Sequence, residues 1–504
     1  MHISEKWREL ALQHGDRPAI VDEHGTWSYR AFHARITRFG NALQALGLSV
    51  GDRVALLVPD IREYLEADYA VMSSGFVRVP LDPRLTRAEL AALLRYAGAT
   101  ALVTHASFAA TMDKLREDVA SLRHIITIGG GAALDYEALV QRASERLLPP
   151  RDGSELASLN FSGGTTGAPK AAMLRHRNLL AVARNTIDGF DIGDGSVFLN
   201  VRPLWPIAQV ILMSHLFAGA TVVLRRFDSE AFATHVHQTG ATRTSLVPTQ
   251  LVRCLDHLHA GDERLARLEA IYVGGSRIPP AVFERALELI GPKIGVLYGL
   301  TEAPVTSYLS PQALAPQTAR PRLMHSVGPV LGDYQARIVG PGEVSSAGSD
   351  RSGEVLIRGG HVMVGYWQDD AATAAALRDG WLHTGDIGEF DEGGNLHIVG
   401  RLKDVIRSGS STVIPKEVED VIVLHPAVAE VAVLGLPDPE WGEAVTAFVV
   451  TKPGMSVAEG ELVEHCRARL AGYKKPRSIR FVASLPRSHY GKVLRAQLIA
   501  QVTK

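Results

Sequence analysis

Up to Tyr298, short apolar runs alternate with segments in which apolar residues recur at helical spacing. "RVALLVPD", "FVRVPLD", "TALVTH" and "HIITIGG" come first, followed by "SVFLNV", "ATVVLR", "TRTSLVP", "LEAIYVGG" and "KIGVLYG". Runs of this length, bounded by turn residues, predict buried strands; the helical segments between them predict parallel sheets with crossover helices. The opening "MHISEKWRELALQ" predicts an amphipathic helix. It lacks the basic start and unbroken apolar core of a secretory signal.

Near Ser310 the pattern changes. "SPQALAPQTARPRL" is rich in proline and "VGPGEVSSAGSDRSGE" in turn residues, and the strand-like runs "YQARIVG", "GEVLIRG" and "IGEFDEGGNLHIVG" are joined by glycine turns. This predicts a β-rich subdomain of antiparallel sheet from about residue 310. Beyond "RLKDVIRSG" the order becomes helix ("PKEVEDVIVLH"), strands ("VAEVAVLGL", "AVTAFVV"), helix ("VAEGELVEHCRARLA") and strand ("IRFVASL"). That is a small α+β domain of roughly 100 residues.

Bulk properties narrow the function. With 504 residues, 46% hydrophobic and 21% charged, the chain reads as a multidomain soluble enzyme. No apolar run approaches the roughly 20 residues of a membrane span, and a cytoplasmic location is expected. A net charge of −1 excludes a broad electrostatic attraction for nucleic acid. Cys254 and Cys466 lie far apart and are expected to be buried small residues rather than ligands or a disulfide. The 19 histidines show no metal-ligand spacing.

One stretch carries chemistry. In "LNFSGGTTGAPKAAML", Ser162, Thr165 and Thr166 offer hydroxyls, Gly163, Gly164 and Gly167 let backbone approach closely, and Lys170 adds charge, a combination suited to a polyphosphate. It is not the common phosphate loop of kinases. Pro169 separates the last glycine from Lys170, and Ala171 has no hydroxyl for a metal.

The order Ser-Gly-Gly-Thr-Thr-Gly-x-Pro-Lys resembles the phosphate loop of the adenylate-forming superfamily: acyl-CoA synthetases, luciferases and adenylation domains. The family's other motifs follow in order in "YGLTEAP", "GWLHTGDIGEF", "GRLKDVIRSG" and "PRSHYGKVLR". The resemblance implies a role for each position. Tyr298 stacks on adenine, with Gly275, Ser276 and Gly299 beside the nucleotide. Thr301 contacts the α-phosphate, and Glu302 holds Mg2+, a hard cation that suits carboxylate oxygen. Asp386 accepts hydrogen bonds from the ribose hydroxyls with help from Arg401. Lys492 bridges the substrate carboxylate and the α-phosphate, offsetting the repulsion of two anions. Lys403 and Asp404 form a hinge, and Ser408, Gly409 and Ser410 begin the loop that meets coenzyme A. The expected domains are 1–402 and a small mobile 403–504.

Two departures from the family pattern stand out. Ser410 replaces a usual glycine in "RSGSSTVIPKEVE", Thr412 an asparagine and Ile414 a frequent aromatic or small residue. In "RPLWPIAQVILM", Trp205 and Pro206 occupy the place of a common Phe-His pair. The resemblance places the acyl pocket at Trp205, Pro206, Ile207, Val247, Val273 and Gly274, with no acidic residue where amino-acid-activating relatives carry one.

The implied reaction has two steps: a carboxylate attacks ATP to give acyl-adenylate and pyrophosphate, then coenzyme A displaces AMP. The expected substrate is a hydrophobic aryl, alicyclic or fatty acid. A member running only one half-reaction, and more remotely a non-catalytic acyl-adenylate-binding protein, would carry the same motifs. A partner ligase or a homodimer stays open.

Overall fold

The computed structural model describes residues 1–130, 134–149, 151–162, 170–206, 209–315, 321–340, 352–409, 411–487 and 493–502. The chain divides into two compact units: Met1–Arg320 with Val330–Tyr334 and Arg358–Leu377, and Pro321–Pro329 with Gln335–Ile357 and Arg378–Lys504.

In the first unit the apolar runs form strands β1 (Pro18–Asp22), β2 (Gly25–Ser28), β3 (Arg53–Leu57), β4 (Val77–Pro80), β5 (Ala99–His105), β6 (His124–Ile128), β7 (Leu156–Ser162), β8 (Lys170–Arg175), β9 (Val197–Asn200), β10 (Thr221–Leu224), β11 (Arg243–Leu246), β12 (Ala270–Val273), β13 (Ile294–Tyr298) and β14 (Ser307–Leu309). They pair into a six-stranded sheet of order β6-β5-β3-β4-β7-β8 and an eight-stranded sheet of order β14-β13-β12-β11-β9-β10-β1-β2. The interior pairs are parallel, as helical crossovers require, and antiparallel pairs appear at the edges, at β7/β8, β1/β2 and β13/β14. This is the α/β architecture expected.

Buried aromatics anchor the N-terminal helix Ile3–Gln13. His2 caps it by accepting from Ser4 N, and Trp7 packs edge-on against Phe32, Tyr69 and Phe217. Beneath β4 and β7 runs a buried polar network. Arg78 donates to both oxygens of Asp68 (3.0 and 3.1 Å), to Ser158 and to Asn160, and Gln209 Nε2 donates to Asp68 Oδ2 (2.8 Å). A charge inside a strand survives burial because each of these donors finds an acceptor.

The second unit contains β15 (Gln335–Val339), β16 (Gly353–Arg358), β17 (Leu377–Arg378), β18 (Trp381–Phe390) and β19 (Leu396–Arg401), in which β16/β18 and β18/β19 are antiparallel. The long antiparallel pair β22 (Val428–Asp438) and β23 (Gly442–Thr451) joins β20 (Ile406–Ser408), β21 (Ser411–Val413) and β24 (Ser478–Phe481) in a further sheet. The helices Pro415–Ile422 and Glu459–Arg467 pack on it through Val418, Ile422, Leu462 and Cys466. Both cysteines are buried thiols, with burial pushing Cys254 up to about 12 and Cys466 up to about 11. No helix among the described residues is long and apolar enough to cross a membrane.

Candidate active site

In the first unit, the stretch expected to bind phosphate falls in the sequence between two antiparallel strands. Ser162 ends β7 and Lys170 begins β8, and the two residues are in register. Gly163, Gly164, Thr165, Thr166 and Gly167 lie between them, outside the described residues.

The motif after β13 forms a tight turn. Leu300 and Ala303 exchange backbone hydrogen bonds of 3.0 and 3.2 Å, and Thr306 N returns to Tyr298 O at 2.8 Å. Gly299 has no room for a side chain, since a Cβ there would lie 2.4 Å from Val305 N. The turn carries Tyr298, Thr301 and Glu302 at the carboxyl end of a parallel strand, where open α/β sheets bind ligands.

Glu302 is braced from two directions. Met363 N donates to its carbonyl (2.8 Å), and the Tyr366 hydroxyl donates to its carboxylate Oε1 (2.8 Å). Burial first, and then the Glu302 charge, raise the Tyr366 pKa, so the phenol keeps the proton it donates. The Lys170 ammonium sits 5.3 Å from the centre of the same ring, a cation–π distance. Tyr366 thereby brings together Lys170, at the start of β8, and Glu302.

Below the turn, Thr306 Oγ1 donates to Ala303 O (3.1 Å) and lies 3.1 Å from His361 Nε2. With the hydroxyl proton so used, His361 Nε2–H is the donor to the Thr306 oxygen. The ring stacks on Tyr334 at 3.5 Å, and burial lowers its pKa to about 3.

Further along the sheet edge, Val273 ends β12 and is followed by Gly274, Gly275 and Ser276. Gly274 packs so closely on Leu297 that a Cβ would meet it at 2.4 Å, and Gly275, at φ +91°, lies beside Val247. Val247 follows β11; its N–H donates to Gln250 Oε1, and Gln250 Nε2 donates to Val201 O after β9. Trp205 is buried with the Arg84 guanidinium 5.5 Å from its ring, and Leu204 N donates to Asp60 Oδ1 (2.7 Å). Pro206 is described, whereas Ile207 lies outside the described residues.

In the second unit, Asp386 on β18 faces Arg401 on β19, with Arg401 Nε 2.7 Å from Asp386 Oδ1. Gly385, at φ +68°, turns the chain there, and its N–H donates to Glu354 Oε1. His383 Nδ1 lies 2.8 Å from Glu354 Oε2. Lys403 and Asp404 lie in a short 3-10 turn, Leu402–Asp404, and Ile414 packs on Ile387 beside Leu402 and Val405. Ser408 ends β20, and Gly409, at φ +62°, donates from its N–H to Trp441 O (2.7 Å). Ser410 and Lys492 lie outside the described residues; the chain flanking Lys492 closes through an Arg487–Val493 bridge.

Sequence reasoning missed Tyr366, Arg202 and the Arg78–Asp68 pair. The last two left a trace: Arg78 is a charge inside the apolar run "FVRVPLD", and Arg202 is one directly before "PLWPI".

Residues 7–367 match the family described as AMP-binding enzyme, and residues 417–492 match the AMP-binding enzyme C-terminal domain. A feruloyl-CoA synthase of an Amycolatopsis species is 34% identical over 489 residues, 95% of each chain. A long-chain-fatty-acid–CoA ligase of Escherichia coli O157:H7 is 32% identical over 98% of this chain and 94% of its own. The ATP-bound structure of MatB from Rhodopseudomonas palustris is 28% identical and superposes over 99% of both chains with a TM-score of 0.89.

Proposed function

The chain belongs to the AMP-binding enzyme family, and from that premise we propose that it is an AMP-forming acid–thiol ligase converting a hydrophobic carboxylic acid to its coenzyme A thioester through an acyl-adenylate. The observation that carries this reading is the Tyr366 bridge, which sets Glu302 and Lys170 around one ring at the carboxyl edge of a parallel sheet.

Each residue then has a task. Tyr298 offers a flat face for adenine and Thr301 a hydroxyl for the α-phosphate. Glu302 fits Mg2+: one carboxylate oxygen is oriented by Tyr366, which fixes the other for a hard cation. Bound there, magnesium would neutralise phosphate charge. Lys170, with the hydroxyls of Ser162, Thr165 and Thr166 and the backbone of Gly163, Gly164 and Gly167, would cradle the β- and γ-phosphates. Asp386, oriented by Arg401, would accept from the ribose hydroxyls. Lys492 would offset the repulsion between the substrate carboxylate and the α-phosphate. The pocket of Trp205, Pro206, Ile207, Val247, Val273 and Gly274 would take the apolar body of the acid, with Gly275, Ser276 and Gly299 keeping the nucleotide side narrow. Lys403 and Asp404 would serve as hinge, and Ser408, Gly409 and Ser410 would meet the thiol substrate.

A panel of hydrophobic acids, assayed separately for pyrophosphate and for acyl-CoA by mass, tests this. Both products from one acid uphold a complete ligase. Pyrophosphate and acyl-AMP without thioester would restrict the protein to adenylation, and failure of every acid to release pyrophosphate would overturn the reading.

A further inference from the structure

Arg202 is the second residue after β9, a half-buried side chain whose guanidinium is paired unlike those of the buried arginines of its unit. Arg78 is matched by Asp68, Arg62 by Glu63 and Glu66, and Arg243 by Glu269, Tyr272 and two carbonyls. Arg202 has one neutral partner, with Nη1 donating to Ser245 Oγ at 3.1 Å. Its Nε is buried without a hydrogen bond, and no carboxylate among the described residues pairs with it. Burial alone pulls its pKa down to about 10, with no opposing charge. A half-buried cation with its Nε shut off from water and no counter-ion is costly to keep, so a chain that keeps one leaves a partner to be supplied.

The backbone does not need this guanidinium. Asn200 Nδ2 holds the Arg202 carbonyl (2.8 Å) and Gln250 holds that of Val201, so the segment after β9 is fixed by other groups. Nor is the position remote from the proposed reaction. The ends of β13, β12, β11 and β9 are successive neighbours along one edge, carrying Tyr298, Val273, Val247 and Arg202 in that order. Because Arg202 reaches to Ser245 on β11, its head lies about two strand spacings, roughly 10 Å, from the end of β13. The intervening positions, Val273 and Val247, are apolar.

We propose that Arg202 binds a second anionic group, a carboxylate, at the far end of the acid this protein activates, so that its preferred substrates are hydrophobic acids with an acidic terminus. The proposal rests on the ligase reading for its reaction but not for its binding step. An incoming carboxylate takes the place of the missing counter-ion, and the planar guanidinium accepts it in a two-point geometry. Uncharged termini leave the cation unmatched and are discriminated against. Short diacids such as propanedioate cannot span the apolar stretch.

Octanedioate and its monomethyl ester, matched in length and differing in one charge, are the probes. Calorimetric binding and pyrophosphate release are measured for each on the wild type, Arg202→Leu and Arg202→Lys, with melting temperature as the check on folding. The wild type is expected to favour the diacid at least tenfold in both readouts, Arg202→Leu to lose that preference, and Arg202→Lys to retain part of it. Equal affinity for the two probes in the wild type overturns the proposal, as does an unchanged ratio in Arg202→Leu. A raised KM for coenzyme A without a change in acid preference also overturns it, because the cation would then serve the thiol substrate. A binding preference that depends on Arg202, without pyrophosphate release from any acid, upholds the proposal and overturns the ligase reading instead.

Discussion

The turn after β13 and the segment after β9 sit on the same edge of one sheet and are built in opposite ways. In the first, Leu300, Ala303, Thr306, Met363, Tyr366 and His361 hold one backbone path and one carboxylate through hydrogen bonds of 2.8 to 3.2 Å. In the second, backbone anchors at Asp60 and Asn200 fix the path, while the Arg202 side chain makes one hydrogen bond among the described residues, to Ser245. The chemistry common to every substrate calls for groups held to within a fraction of an ångström. Choice of acid calls only for volume and charge, which one side chain can change. The braced turn is expected to resist substitution and the segment after β9 to accept it.

The sharpest way to separate the two regions is to remove the charges assigned to phosphate chemistry. Lys492→Ala is expected to abolish acid-dependent pyrophosphate release, a loss of about a hundredfold or more, while thioester formation from preformed acyl-adenylate persists. Equal loss in both half-reactions would refute its assignment to adenylation. Glu302→Gln should lower pyrophosphate release by about a hundredfold, for every acid alike and with a raised requirement for Mg2+. An effect confined to some acids would merge the two roles proposed for these regions.

Next in size is the brace. Tyr366→Phe keeps the ring near Lys170 and deletes only the hydroxyl that donates to Glu302, so the expected loss is about 1.5 to 3 kcal/mol, or roughly ten- to a hundredfold in kcat/KM. Partial recovery at high Mg2+ concentration would show that the bond positions the carboxylate. Gly299→Ala tests the backbone rather than the charge. Its Cβ would meet Val305 N at 2.4 Å, a main-chain atom with little freedom to yield, and a stability loss of about 1 to 3 kcal/mol is expected from thermal unfolding. The matched change Pro206→Ala, in the segment after β9, should cost less.

The sheets were legible because burial on both faces writes each strand as a continuous apolar run, and the order of runs and helical stretches implies parallel pairing. The roles proposed for the glycine- and hydroxyl-rich stretch, Tyr298, Glu302 and Asp386 come from a family's fixed spacings. Tyr366 was not legible. It lies 64 residues from the glutamate it orients, and no local pattern signals a bond between a loop tyrosine and a turn carboxylate. Arg202 left only a weak trace: a charge next to a strand reads as a solvated end, and its buried, unpartnered Nε becomes visible only in the fold. Position along the chain encodes which elements form. The pairing of polar atoms between distant elements becomes readable only when the chain is folded.

The smallest expected effect reaches the braced turn through pH. His361 is buried under it, and burial lowers its pKa from 6.5 to about 3. Above pH 6.5 the ring is neutral in the folded and unfolded chains alike and adds nothing to pH dependence. As pH falls below 6.5 the unfolded chain takes up a proton that the folded chain refuses, so stability drops through the window from about 6.5 to about 3, by about 1.4 kcal/mol per pH unit once both conditions hold. Buried His2, His176 and His215, lowered to about 4, about 2 and about 3, act in the same direction elsewhere in the unit. His361→Phe keeps the stack on Tyr334 and removes one titrating group, so its unfolding free energy should fall less steeply between pH 6 and pH 4 than that of the wild type. If the two slopes coincide, His361 is already protonated in the folded state, and the turn that carries Glu302 is more open to water than the segment after β9 with which it has been contrasted.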